Sequence, residues 1–484
     1  MVANFLKSVS LFPEKNALFI NSSFYTYKQF FNLVVQVYNQ LPKDKIYDKI
    51  GVYCNDTVYD YAAIMAVNLY GAAYVPLNPK FPVEKNRTIV KQSDVNLILV
   101  AVELNNDISK DVQVIHINEK SNDIQSIKGL DEFRKLIQPF AYILFTSGST
   151  GEPKGVPVSF ENCNTFFDFF YKYYSFTSED RFLQVYELTF DVSVFSFFMP
   201  LQVGACCYVV PNNSIKFMKT AEMLLAHSIT VVSMVPSTLW YLKKYFSEIQ
   251  LPFLKYSFFS GDVLNFTIAM EWKSCLPNAQ IHNFYGPTET TIVCTHYVFD
   301  KEITKEESMN DIVPIGKPFS GMEYVIIDEL NNEVEKGELC FFGKQVISGY
   351  LNNTNAEKFI SINGKTYYKT GDRACVNANG DLLFEGRIDS QVKINGYRVE
   401  LGEVEYCLEK IVMSKCVVNV KRNADGLNEL VAFVSSNTFS EKEIKQKLSL
   451  LLPEYMIPAK IIFVESLPLT INGKVDKTKL LELI

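Results

Sequence analysis

The chain has 484 residues, 48% of them hydrophobic and 21% charged, with a formal net charge of −7. That length allows roughly two to four domains, and the core is large enough to need no disulfide or metal staple. The acidic balance, with a pI of about 5.4, argues against a nucleic-acid binder, which usually shows a basic face.

The ten cysteines include no C-x-x-C pair, and the four histidines (His116, His227, His282, His296) form no H-x-x-x-H pattern. Neither a zinc site nor a disulfide framework is expected, and buried reduced thiols of a cytoplasmic protein fit best. No apolar run is long enough to span a bilayer, so no membrane insertion is expected. Lys7, Pro13, Glu14 and Lys15 near the start exclude a secretion signal.

In chain order, KIGVYC (49–54) reads as a strand, YDYAAIMAVNLYG (59–71) as a helix stopped by Gly71, and AYVPL (73–77) and NLILVAVEL (96–104) as further strands. This alternation predicts parallel α/β layers. The aromatic stretch FFDFFYKYYSF (166–176), broken by Asp168 and Lys172, reads as a half-buried helix. From about residue 386 a shorter α+β unit begins: strand, turn, helix (404–411), strands (414–421 and 429–436) and a helix (440–451). A boundary near Asp389 divides the chain into 1–388 and 389–484.

The stretch AYILFTSGSTGEPKG (141–155) runs from a strand into hydroxyls, glycines and Lys154. Small residues let a backbone approach a polyanion closely, with N–H groups, hydroxyls and a lysine as partners for phosphate. The P-loop spacing fails here, because Pro153 follows Gly148 by five residues and Val156 follows Gly151 by five; the dinucleotide-binding G-x-G-x-x-G is missing as well. On spacing alone a phosphate loop and a solvated turn both remain open.

TSGSTGEPKGV is followed by NFYGPTETT (283–291), YKTGD (368–372), GRIDSQVKINGYRVELGEVE (386–405) and LPLTINGKVDK (467–477). These motifs, in this order, resemble those of the adenylate-forming superfamily of acyl- and aryl-CoA synthetases, luciferases and amino-acid adenylation domains. FYTYKQF (24–30) and GAAYVPLNPKFP (71–82) resemble its early structural motifs. The resemblance implies a large N-terminal domain of two helix-flanked β-sheets with a small barrel-like subdomain, then a small mobile α+β domain. It also implies site residues. Thr146, Ser147, Gly148, Ser149, Thr150, Gly151 and Lys154 match the loop around the β- and γ-phosphates of ATP. Tyr285 matches the aromatic beside adenine, with Asn283 and Gly286 next to it, and Thr288 lies by the α-phosphate. Glu289 matches the Mg²⁺ ligand, Asp372 the acid that holds the ribose, and Arg387 the arginine near ribose and phosphates. Asp389 matches the interdomain hinge. Lys474 matches the catalytic lysine that the small domain carries to the reacting carboxylate and phosphate, where negative charge develops. A second arrangement is implied, in which Lys474 swings away and the GYR turn (396–398) faces inward for thioester formation.

LTFDVSVFSFF (188–198) resembles the amino-acid branch, in which Asp191 pairs with the substrate's α-ammonium; a buried carboxylate is costly without such a partner. Matching gives Val192, Phe195, Ser233, Phe258, Ser260, Phe284, Ile292 and Val293 as pocket walls, with Asp191 and Lys474 as the only charged groups. A small neutral amino acid (alanine, serine, glycine or proline) is expected, while the phenylalanines leave a flat aromatic ring open. The chain ends ten residues after Lys474, with no carrier segment behind it. The expected protein is a monomeric, stand-alone enzyme that loads the phosphopantetheine thiol of a separate carrier protein. This layout resembles D-alanine–carrier protein ligases and free-standing nonribosomal peptide adenylation enzymes, although Ser260 stands where a cysteine is expected of the former. The alternative is an AMP-forming acyl- or aryl-CoA ligase, against which Asp191 argues.

Overall fold

The computed structural model describes residues 1–104, 107–108, 110–117, 139–148, 153–211, 214–354, 356–424, 426–435, 438–468 and 475–483. Lys474, Ser149, Thr150 and Gly151 lie outside the described residues.

Two sheets build the large N-terminal part. The first has six strands in the order Gln113–His116, Leu97–Val100, Lys49–Tyr53, Ala73–Leu77, Phe140–Thr146, Lys154–Ser159. It is parallel except for the last pair. The second has nine strands, with Val231–Met234, Tyr256–Phe259 and Gln280–Tyr285 parallel at its centre. The alternation read from the sequence thus folds as expected. Gly71 ends the helix Val58–Tyr70 with φ of 89°, in the left-handed region that glycine enters without a Cβ clash.

The helices between the sheets are apolar on every side. Val58–Tyr70 and Val192–Val203 are buried almost throughout, as expected for helices with sheet or helix on each face. Gly204, which stops the second of these, has φ of 78°, and a Cβ there would stand 2.4 Å from the Phe12 ring. The aromatic helix is Phe160–Tyr173; Cys163, Phe166, Phe167 and Phe170 form its buried stripe, so the expected half-burial holds but Tyr174, Ser175 and Phe176 fall past its end.

A five-stranded antiparallel half-barrel sheet (Met322–Ile327, Lys336–Gly343, Phe359–Ile362, Lys365–Val376, Leu382–Arg387) follows. The smaller C-terminal domain opens with the hairpin Gln391–Ile394/Tyr397–Glu400, turned by Asn395 (φ 51°) and Gly396 (φ 84°). Two consecutive positive φ angles at Asn-Gly mark the tight hairpin turn whose twist matches the strands. The helix Leu401–Val412 and the strands Cys416–Arg422 and Asn428–Val434 come next. The helix Glu441–Leu448 carries a capping box from Ser440 to Glu443. A third strand, Lys460–Phe463, pairs parallel with Asn428–Val434 and was not expected; only Ile461 of its four residues is buried, which leaves little apolar signal to read.

Among the described residues no helix is long and apolar enough to cross a membrane. The ten cysteines form no disulfide.

Candidate active site

A cavity of about 680 Å³ lies between the two domains. Its floor is formed where strands of both large sheets end: Phe145–Ser147 from one, and Val185, Ser260 and 283–285 from the other. Ligands of parallel sheets bind at the carboxyl ends of the strands for topological reasons. The roof is the C-terminal hairpin, with 391–393 and 395–398 facing in.

Thr146 and Ser147 reach the wall of this cavity, and Gly148 is buried beside them. Ser147 Oγ donates to the Arg398 carbonyl at 2.9 Å. Lys154 opens the strand that returns from the loop. Burial lowers its ammonium from the usual value, opposed by the carboxylate of Glu400 in the hairpin.

Glu289 sits in a short 3₁₀ turn, Thr288–Thr290, and is 0% exposed. Arg398 Nη1 donates to both its oxygens, at 3.2 and 3.0 Å, and the Tyr350 hydroxyl donates to Oε1 at 2.6 Å. Burial alone would raise this carboxyl, but the Arg398 charge together with the hydrogen bonds from Tyr350, the backbone and Arg398 outweighs it and holds the group below its ordinary value. Gly286 leads into this turn. A Cβ there would come within 2.5 Å of Val293 Cα, so the backbone passes too closely for any side chain.

The Tyr285 hydroxyl donates to Asp372 Oδ2 at 2.5 Å, and Arg387 Nη1 donates to Oδ1 at 2.8 Å. Arg387 also clasps Asp389 through Nε (2.9 Å) and Nη2 (2.6 Å). Lys358 stands 3.8 Å from the same Asp389 carboxylate. The half-barrel sheet and the first residues past it are thus tied by one guanidinium. Asn283 is buried, with its amide donating to the Pro314 carbonyl at 3.0 Å.

Asp191 precedes the buried helix Val192–Val203 and faces the cavity. Burial raises its carboxyl above the ordinary value, and the Thr288 hydroxyl, the Lys393 charge and the Val192 N–H compensate only in part. Among the described residues it has no ion-pair partner within 4 Å. Such a group can hold a cation.

Of the eight predicted pocket walls, Val192, Ser260, Phe284 and Ile292 line the cavity. Phe195, Ser233, Phe258 and Val293 lie buried behind them. The reason is aromatic packing: Phe170 from the aromatic helix stands 4.5 Å from Phe195 and 5.6 Å from Phe284, and Phe258 stands 5.2 Å from Phe284. These rings fill the space that a large substrate side chain would need. Phe170 was not among the expected residues, because its role arises from a neighbouring helix.

A second correction concerns charge. Matching gave Asp191 and Lys474 alone, yet Asp262, Lys393, Lys216 and Glu187 also line the cavity. Burial pushes the Asp262 carboxyl up to about 6, with Lys393 and Arg422 opposing. Burial lowers the Lys393 ammonium, and the nearby Arg398 adds to this. Lys393 was not singled out in the sequence, and Arg398 only as part of the GYR turn expected to face inward, since the hairpin meets the site only through the packing of the two domains.

Two family profiles match this architecture: AMP-binding enzyme over residues 5–351 and AMP-binding enzyme C-terminal domain over 406–474. Zwittermicin A synthase ZmaJ of Bacillus cereus is 32% identical over 447 residues, covering 88% of this chain and 84% of the relative. The D-alanine--D-alanyl carrier protein ligase of Lactococcus lactis is 30% identical over 483 residues, covering 94% and 93%. Other relatives are far longer, and the chain spans 40% and 18% of two of them. Among solved structures, the Vibrio cholerae adenylation domain AlmE in complex with glycyl-adenosine-5'-phosphate superposes with a TM-score of 0.86 at 26% identity, covering 99% of this chain and 97% of that one. With both its large body and its small C-terminal domain matched, the chain belongs to the AMP-binding enzyme family, adenylate-forming ligases that use ATP.

Proposed function

We propose that the protein is an amino-acid–carrier protein ligase. The carboxylate of a small neutral amino acid attacks the α-phosphorus of ATP, and the bond to pyrophosphate breaks. The phosphopantetheine thiol of a separate carrier protein then attacks the acyl carbon. The sulfur loses its proton, a thioester forms, and AMP leaves.

The observation that carries this reading is Asp191, a half-buried carboxylate on the cavity wall with its charge incompletely compensated. A substrate ammonium supplies the missing charge, whereas a fatty or aryl acid leaves it uncompensated. The aromatic packing behind Phe284 supports a small side chain, such as that of alanine, serine, glycine or proline. The D-alanyl carrier protein ligase among the relatives supports a carrier thiol as acceptor.

In this reading the loop 146–151 and Lys154 hold the β- and γ-phosphates. Tyr285, Asn283 and Gly286 flank adenine, while Asp372 and Arg387 hold the ribose in place of their present mutual bond. Thr288 faces the α-phosphate, and Lys474 stabilises the charge that builds between carboxylate and phosphate. Asp389 is the hinge at the boundary of 1–388 and 389–484. Positioning and electrostatics supply most of the rate.

Glu289 fits Mg²⁺ by donor type. It is a hard oxygen ligand next to the phosphate loop, and no cluster of three or more His, Cys, Asp or Glu suited to a metal occurs among the described residues. One carboxylate plus substrate phosphates is how Mg²⁺ is usually held. Bound there, the ion would neutralise phosphate charge.

Amino-acid-dependent ATP–pyrophosphate exchange tests the proposal, over both enantiomers of the common amino acids and several fatty and aryl acids. Exchange with one small neutral amino acid is expected. Exchange only with acids lacking an α-amino group would place the protein with the CoA ligases instead.

A further inference from the structure

Three neighbouring strands of the nine-stranded sheet each deliver a hydroxyl to one corner of the cavity. Arg181–Gln184, Val231–Met234 and Tyr256–Phe259 lie side by side and parallel. Tyr186 comes two residues after the first, Ser233 belongs to the second, and Ser260 directly follows the third. Tyr186 and Ser260 line the cavity, and Ser233 is buried behind them. The backbone of Tyr186 is fixed by Gln184, which is 1% exposed: Nε2 donates to the Tyr186 carbonyl at 3.0 Å, and Oε1 accepts from its N–H at 3.3 Å.

Burial pushes the Tyr186 phenol up; the Ser233 and Ser260 hydroxyls oppose this, and the Asp191 charge adds to it. The hydroxyls therefore gather beside the carboxylate read above as the partner of the substrate ammonium. Yet among the described residues nothing meets Tyr186 Oη at hydrogen-bond distance and angle, and the atom is shut off from solvent. Ser233 is 5% and Ser260 3% exposed, so neither turns to bulk water. An enclosed hydroxyl without a partner is destabilising, because it has given up its water and gained nothing. The rest of the corner is aromatic. Phe258, paired with Ser233 across the sheet, stands 5.9 Å from Phe195 and 5.2 Å from Phe284. The hydroxyls are thus the polar end of a short, otherwise apolar recess, and such isolated polar groups set orientation and specificity.

We propose that Tyr186, acting through Ser260, selects a substrate side chain that ends in a hydroxyl, so that the amino acid activated is serine rather than alanine, glycine or proline. Ser260, on the cavity wall, meets the substrate hydroxyl; Tyr186 and Ser233 hold the Ser260 hydroxyl in position from behind. Tyr186 is then a positioning residue. An analogue without the hydroxyl leaves enclosed donors and acceptors unpaired, which is how a polar recess rejects it. This rests on the amino-acid reading given above.

ATP–pyrophosphate exchange with serine and with 2-aminobutyric acid, each as both enantiomers, tests it, since the two compounds differ only by hydroxyl against methyl. In the wild type, kcat/KM for the preferred serine enantiomer is expected to exceed that for the matching 2-aminobutyrate about 100-fold or more, and that for alanine about tenfold or more. Tyr186→Phe removes one oxygen and keeps the ring; it should lower the serine-to-2-aminobutyrate ratio about tenfold, and Ser260→Ala should lower it further. A merely structural Tyr186 would reduce both rates alike, and an unchanged ratio in Tyr186→Phe would overturn the proposal. A wild-type ratio near one, or a preference for alanine, would overturn it without recourse to any variant and leave the amino-acid reading standing. Exchange confined to acids that lack an amino group would remove that reading and the proposal with it.

Discussion

Asp191→Asn should move activity and stability in opposite directions. In the complex, the carboxylate is the counter-ion of the substrate ammonium in an enclosed site. Removing one partner of such a pair costs about 3–5 kcal/mol. At about 1.4 kcal/mol per tenfold, kcat/KM for exchange should fall roughly a hundred- to several-thousand-fold. In the free enzyme the same carboxylate is a liability. Its folded-state value is raised by burial, against the Thr288 hydroxyl, Lys393 and the Val192 N–H. The native protein therefore holds this proton more tightly than the unfolded chain does. Stability declines as pH rises from the ordinary carboxylate value through the raised one. Asparagine has no proton to lose and still accepts from Val192. The variant should equal wild type near about pH 3, below both values, and exceed it at neutral pH. Melting curves across pH, paired with exchange kinetics on the same samples, measure both arms. Exchange kept within about threefold, or a lower neutral-pH Tm, would refute the reasoning that this carboxylate is held for a cationic substrate.

Three further outcomes are expected. Phe258→Ala removes a ring packed 5.2 Å from Phe284 and 5.9 Å from Phe195; it should cost about 3–5 kcal/mol in denaturant titration and shift the exchange profile toward larger side chains. Lys85→Met leaves the buried Glu403 without its cation across the domain interface. Thioester formation on a carrier should slow about tenfold or more, with pyrophosphate exchange unaffected, because the contact belongs to the hairpin-in arrangement. Asp262, pushed to about 6 by burial, loses native stability as pH rises through that value; Asp262→Asn should therefore gain in Tm above about pH 6 and show no gain below about pH 4.

Local chemistry was the legible part of this fold. Gly71 stops its helix, AYVPL becomes a parallel strand, and the hydroxyl-rich loop follows a strand end, because each depends on a few adjacent residues. What depends on distant packing was not legible. Phe195 and Phe258 stand behind the cavity rather than in it, since Phe170 from another helix fills the gap. Arg398 sits in a motif that could be read, but its partner Glu289 lies in another domain, and only the docked hairpin brings them together. The short strand Lys460–Phe463 has one buried residue and a partner some thirty positions upstream, so neither periodicity nor proximity announces it.

The roof of the cavity belongs to a different domain from its floor. A compound that filled the chamber, touching Asp191 below and Lys393 above, would act as a rivet between two independently cored bodies. Its signature would be calorimetric. Separate melting of the small domain would merge into a single cooperative transition, and the gain in Tm would rise with ligand concentration as mass action requires. A nucleotide analogue that contacts the floor alone would stabilise the large body and leave the small domain to melt at its own temperature, so the two classes of inhibitor could be sorted by heat capacity before either was crystallised.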